Sequence, residues 1–221
     1  MSGFVLHFAK IELLKKVLIQ PKSALKLLYP KAIWKVKSDE KKIYLTFDDG
    51  PIPVLTDWVL DVLKEHNAKA TFFCVGDNII KNKAIFERIK KEGHCVGNHT
   101  FNHIKGFTTK TAVYMDNTLK CEQLTETKIF RPPYGQLKRP QYKQLLLNGY
   151  KIIMWDVISY DYEKISPETC FNNVKNNISN GSIVLFHDNI KAEANLQYAL
   201  PKTIEHFSKL NYTFVSLQSV K

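Results

Sequence analysis

A chain of 221 residues with 44% hydrophobic and 24% charged residues, nine glycines and nine prolines has the balance of one globular domain. That balance excludes collagen-like, disulfide-framework and low-complexity classes. The formal charge is +11, and residues 1–37 hold eight lysines against the single acid Glu12, so +7 lies there and +4 is spread over the remainder.

Phe8, Ile11, Leu14 and Leu18 recur at spacings of three and four and predict a basic amphipathic helix over residues 8–20. Such a helix packs on its own domain or lies on an anionic membrane. Lys10, Glu12, Lys15 and Lys16 interrupt its apolar run. The segment therefore lacks the h-region of a secretory signal, and no segment reaches the roughly 20 apolar residues of a membrane span. The expectation is a soluble, unexported chain whose residues 1–37 make weak contact with an anionic surface. Pro21, Pro30 and the charged run over 37–42 mark a connector. The expected organisation is an N-terminal extension over 1–41 and a main domain over 42–221.

From residue 42 onward, short β-rich runs alternate with helical patterns. Strands are expected at 43–47, 70–75, 95–97, 129–130, 150–155, 183–186 and 213–217, with helices at 54–66, at 78–92 and after Ser166-Pro167. Seven strands with intervening helices argue for a parallel α/β fold. An open doubly wound sheet and an incomplete barrel both satisfy the pattern. Cys74, Cys95, Cys121 and Cys170 form no C-x-x-C, so four buried thiols are expected, with a Cys74–Cys95 pairing left open.

The chemistry-bearing residues follow strands, where parallel α/β folds build their sites. After the first come Asp48 and Asp49, and after the third come His99 and His103. Two histidines four apart share one face of a helical turn and converge on one metal ion. A carboxylate completes a His₂-carboxylate set, so the two aspartates supply one ligand and a spare that serves as general base. After the fourth strand, Arg131-Pro132-Pro133-Tyr134 leaves its first free N–H at Tyr134, which suits an oxyanion donor. Trp155, Asp161 and Tyr162 follow the fifth strand and His187 the sixth.

The segments TFDDG, HTFNH, RPPY, Asp161-Tyr162 and Leu185-Phe186-His187, in this order, resemble the polysaccharide deacetylase family, carbohydrate esterase family 4, over residues 42–217. The resemblance implies a distorted, incomplete (β/α) barrel of seven parallel strands. It implies a hydrolase that removes N-acetyl groups from N-acetylglucosamine in a peptidoglycan- or chitin-like glycan. Asp49, His99 and His103 would then bind a divalent metal, zinc ahead of cobalt, manganese or nickel. Asp48 would be the general base, paired with Arg131. His187 would be the general acid, held by Asp161, and the Tyr134 N–H the oxyanion donor. Tyr134, Leu185 and Trp155 would line the acetyl pocket. Tyr162 stands where the family usually has Trp, which reshapes the pocket wall. The competing readings are an O-acetyl esterase on xylan-type glycans and a basic binding module. A glycan is the expected partner of a monomeric enzyme, with no nucleic acid. The family's substrates point to the cell envelope or the extracellular space, whereas the missing export signal points to the cytoplasm.

Overall fold

The computed structural model describes residues 19–21 and 23–219. Eight short strands form one parallel sheet: β1 (Lys42–Asp48), β2 (Ala70–Cys74), β3 (Cys95–Asn98), β4 (Ile129–Phe130), β5 (Lys151–Ile152), β6 (Val157–Ile158), β7 (Ile183–His187) and β8 (Thr213–Phe214). Seven of them follow the order β5-β4-β3-β2-β1-β7-β6, and β8 pairs with the start of β1. The run expected over 150–155 is thus the short β5, and β6 is a strand the sequence pattern does not mark.

This order decides between sheet and barrel. The end strands β5 and β6 are separated in the chain only by residues 153–156. Laid flat, seven strands would hold their ends about 29 Å apart, beyond the roughly 18 Å that this connection can reach. The sheet therefore curls into an incomplete barrel. Residues 33–36 cross the gap, with Ile33 bonded to Ile152 and Met154 on one side and Val36 to Gly181 on the other. Tyr29, Ala32 and Trp34 are buried, so this stretch, which precedes the expected boundary at residue 41, packs into the main domain.

Strand alternation divides the packing. Leu45 and Phe47 of β1 join Val59, Leu60 and Leu63 of α2 (Leu55–Glu65) and Leu196, Leu200 and Ile204 of a C-terminal helix (Glu193–Lys209) in the main core. Phe47 stacks on Phe72 at 5.0 Å and on Phe186 at 6.1 Å, so its truncation to Ala would cost about 3–5 kcal/mol. Tyr44, Phe73, Ile153, Ile183 and Leu217 fill a separate cluster. The remaining helices are α1 (Ser23–Leu28), α3 (Gly76–Lys81), α4 (Lys83–Lys91), α5 (Thr111–Thr125), α6 (Arg139–Leu147) and α7 (Pro167–Lys175), and the C-terminal helix is α8.

The single helix expected over 78–92 is the pair α3 and α4, divided at Asn82, whose amide turns to the carbonyls of Pro51 and Asn78. At α7 the Ser166 hydroxyl accepts the Thr169 N–H at 3.1 Å, the cap its Ser-Pro start predicts. Of the helix expected over 8–20, all but Ile19 and Gln20 lie outside the described residues. All four cysteines are free and buried, which closes the question of a Cys74–Cys95 pairing. Among the described residues no helix is long and apolar enough to cross a membrane.

Candidate active site

The register of β1 places Asp48 level with His187 of β7. One residue on, Asp49 leaves the strand with φ 86°. Three side chains hold this turn. The buried Asp188 carboxylate accepts the Gly50 N–H at 3.1 Å and the Thr56 hydroxyl at 2.7 Å, Asn78 donates to the Asp49 carbonyl at 2.7 Å, and Asn189 donates to Asp49 Oδ2 at 2.6 Å. A Cβ on Gly50 would lie 1.9 Å from the Asp188 carboxylate, so only glycine fits.

Asp49 Oδ1 faces His103 Nε2 at 3.0 Å and His99 Nε2 at 3.6 Å. One ligand atom from each residue lies within 4.8 Å of the others. His99 Nδ1 is 2.8 Å from the Arg131 carbonyl, which only an N–H can satisfy, so its Nε2 presents a lone pair to the centre. Two neutral imidazoles and one carboxylate fit a divalent cation such as zinc and leave positions for water and substrate. Burial works to raise the Asp49 pKa, but the adjoining His103 and His99 side chains and the charge of His187 outweigh it and hold the carboxyl well below the usual range.

The expected helical turn is not what joins the two histidines. Residues 99–103 form a loop in which Thr100 (φ 63°) and His103 (φ 52°) are left-handed. Asn98 and Asn117 side chains cap the N–H groups of Thr100, Phe101 and Asn102, bringing the imidazole centroids to 5.1 Å.

Arg131 follows β4 and is completely buried. Its guanidinium donates to Asp48 Oδ1 and Thr46 Oγ1, each at 2.7 Å, and to the carbonyls of Met154 at 2.8 Å and Ile153 at 3.3 Å. Its carbon lies 4.1 Å from the centroid of the Phe73 ring, which occupies the space a Cβ on Gly97 would need. Burial lowers the Arg131 pKa while Asp48 opposes the shift, and the group stays cationic. Asp48 turns its second oxygen to within 3.8 Å of His99 Nε2.

His187 is held by both oxygens of the fully buried Asp161: Nδ1 is 2.8 Å from Oδ1, and its backbone N–H donates to Oδ2 at 2.7 Å. Burial opposes the charged ring, but the charge and hydrogen bond of Asp161 prevail and raise its pKa to about 9. Tyr162 packs edge-on against His187, with centroids 4.8 Å apart. Tyr134 is half exposed, in a left-handed turn (φ 59°), with its ring 4.7 Å from that of His103. Leu185 lies two residues before His187 on the same face of β7 and is buried. Trp155 packs edge-on against Trp34, and a Cβ on Gly135 would approach its ring to 2.6 Å, so it backs the Tyr134-Gly135 turn. Asp48, Asp49, His99, His103, Arg131, Asp161 and His187 thus meet at one edge of the barrel, with Tyr134 at its rim. Asn78, Asp188 and Asn189 are the members that motif spacing does not reveal.

The geometry agrees with comparison to known proteins. The family model for polysaccharide deacetylase matches residues 35–153. A peptidoglycan-N-acetylglucosamine deacetylase of Bacillus cereus is 32% identical over 194 residues, covering 85% of this chain and 91% of that protein. A second from the same organism is 35% identical over 189 residues, covering 82% and 69%. The crystal structure of a peptidoglycan N-acetylglucosamine deacetylase in complex with 4-naphthalen-1-yl-N-oxidanyl-benzamide superposes with a TM-score of 0.82 at 34% identity, covering 86% of this chain and 92% of that one. With the curled parallel sheet and a family match over more than half its length, the chain belongs to the polysaccharide deacetylase family.

Proposed function

We propose that this protein is a metal-dependent hydrolase that removes the acetyl group from N-acetylglucosamine units of a peptidoglycan-like glycan, releasing acetate. The observation that carries the reading is the register pair Asp48 and His187. One is a carboxylate held by a cationic Arg131, the other an imidazole kept protonated by Asp161, and a two-His, one-Asp ligand set adjoins them.

Asp49, His99 and His103 would hold the cation, which we assign as zinc from the donor set. Bound there, it would polarise the acetyl carbonyl and acidify a water. Asp48 takes the proton of the attacking water, and Arg131 keeps that carboxylate ionised and oriented. As the water oxygen bonds to the acetyl carbon, the Tyr134 N–H donates to the developing oxyanion, a contribution of about 3–4 kcal/mol in comparable sites. The carbon–nitrogen bond then breaks, and His187 gives its proton to the departing amine. With its pKa raised to about 9, this ring carries the proton at neutral pH. An amine needs that proton more than an alkoxide does, which favours N-deacetylation over ester cleavage. Leu185 and Tyr134 would enclose the acetyl methyl, with Trp155 supporting the Tyr134 turn.

We assign catalysis to the domain over 42–221, with residues 29–36 built into it, and place the reaction at the cell envelope, where a peptidoglycan substrate resides. The test is acetate release from N-acetylglucosamine-containing peptidoglycan fragments by the zinc-loaded protein. Release is expected to be abolished by a chelator and by Asp48→Asn. Activity that survives both treatments would overturn the assignment.

A further inference from the structure

We infer that Lys105 and Tyr134 form a subsite for a carboxylate on the sugar beside the one that loses its acetyl group, directing the enzyme to an anionic glycan over a neutral one. The inference rests on the deacetylase reading above and adds the residues that would select a carboxylated strand. Lys105 lies two residues beyond His103 and is exposed, with Nζ 4.9 Å from the centroid of the Tyr134 ring. That ring's centroid is 4.7 Å from the His103 ring centroid, so the ammonium stands no more than 9.6 Å from the ring centre of a candidate metal ligand. One neighbouring sugar bridges such a distance.

The cation sits on a fixed loop. Gln141 of α6 donates to the carbonyls of Gly106 at 3.0 Å and Thr109 at 3.1 Å, and Lys138 donates to Thr109 at 2.9 Å. A Cβ on Gly106 would lie 2.2 Å from the Gln136 carbonyl, so the loop is pressed against the chain that follows Tyr134. Stacking on an aromatic face orients an ammonium without using its three N–H donors. Among the described residues, no carboxylate forms an ion pair with Lys105. An oriented, unneutralised cation beside the reaction centre suits a carboxylate of the substrate.

A chitin-like chain offers no such group. A peptidoglycan strand does, either as the lactyl carboxylate of the adjoining muramic residue or as the acids of a peptide stem attached there. The experiment compares kcat/KM for acetate release from chitotetraose, from a muramic-containing tetrasaccharide without stems, and from the same tetrasaccharide with them. It uses the intact wild-type chain, Lys105→Ala and Lys105→Glu.

Wild type is expected to favour a carboxylated substrate about tenfold, mainly through KM, with the preference shrinking at high salt. Lys105→Ala should bring the ratio to near one and Lys105→Glu should invert it. A preference for the stemless or the stemmed substrate supports the subsite and names the carboxylate. Equal ratios in wild type and Lys105→Ala overturn the subsite and leave the deacetylase reading standing. No acetate from any substrate overturns that reading and the subsite with it. Thermal melts of both variants that match wild type exclude misfolding as the cause, since Lys105 is exposed.

Discussion

Asn189 donates its amide to Asp49 Oδ2 at 2.6 Å and, with its own Oδ1, accepts the Ala192 N–H at 3.1 Å. Because an N–H must face the oxygen end, the Ala192 contact fixes which way the amide lies. The amino end then has to point at Asp49. This occupies Oδ2 and leaves Oδ1 for the two histidines. It also braces a residue whose left-handed backbone costs about 1–3 kcal/mol.

Zinc affinity should therefore depend on Asn189. Asn189→Ala is expected to weaken binding about 10- to 100-fold, as loss of a ligand's orienting partner does elsewhere. Asn189→Asp should do more damage, because it sets a carboxylate against a carboxylate. Competition with a chromophoric chelator reads the affinity without relying on activity. Unchanged affinity in Asn189→Ala would show that Asp49 is oriented without it.

The Asp161–His187 pair predicts a pH dependence of definite sign. The His187 pKa rises from the ordinary 6.5 to about 9, so the folded state holds a proton that the unfolded chain has released between those values. The stabilisation from the pair is complete below pH 6.5 and is lost as pH rises through about 9. Asp161→Asn removes the charge that sustains the shift. Its expected signature is an alkaline limb of kcat displaced to lower pH, together with a flatter stability profile across that window. The His187 ring proton, followed by NMR, checks this directly. A midpoint still near 9 in the variant would remove Asp161 from the argument.

The candidate ligands and proton carriers were legible in the sequence because histidines and carboxylates recur just after the strands and, in their order, resemble a family's motifs. Their supports were not. Asn189 and Asp49 stand 140 positions apart, and an asparagine has no spacing that marks it as a clamp. The fold shows the same division. The longer strands β1, β2 and β7 carry apolar-rich runs that are buried along nearly their whole length, whereas β6 is two residues whose pairing with β7 makes it a strand. Helix α8 contains Pro201, which ordinarily breaks a helix, yet it runs over 17 residues because its apolar face is buried against the barrel. Helix α5 buries Thr118, Cys121 and Thr125 beside Tyr114 and Met115, so its buried face lacks the apolar period that pattern reading requires.

Arg131 should show how far Asp48, the proposed base, depends on a buried partner. Arg131→Ala would leave the Asp48 carboxylate buried without its cation and two carbonyls without donors. The expected loss is about 3–5 kcal/mol in urea unfolding. Arg131→Lys keeps the charge but not the planar fork that reaches Asp48, Thr46 and Met154 together, so it should recover only part of that loss. Full recovery by lysine would mean that charge alone, and not the fork, holds the site.

His94 should supply a second stability transition, on the acid side and away from the candidate catalytic edge. It is buried, accepts the Ala70 N–H on Nδ1 at 3.2 Å and meets the Phe72 ring at 5.5 Å. Burial, aided by the charge of Lys69, lowers its pKa to about 4. Below pH 6.5 the unfolded chain takes a proton that the folded chain refuses, so stability is complete above 6.5 and falls as pH drops through about 4. The fall should approach roughly 3 kcal/mol over that window. His94→Gln keeps an acceptor for Ala70 but cannot titrate, so the difference between its urea midpoints at pH 7 and pH 4.5 should shrink relative to wild type. Because His187 acts between 6.5 and about 9, the two windows do not overlap, and an unchanged acid slope in His94→Gln would exclude His94 as its source.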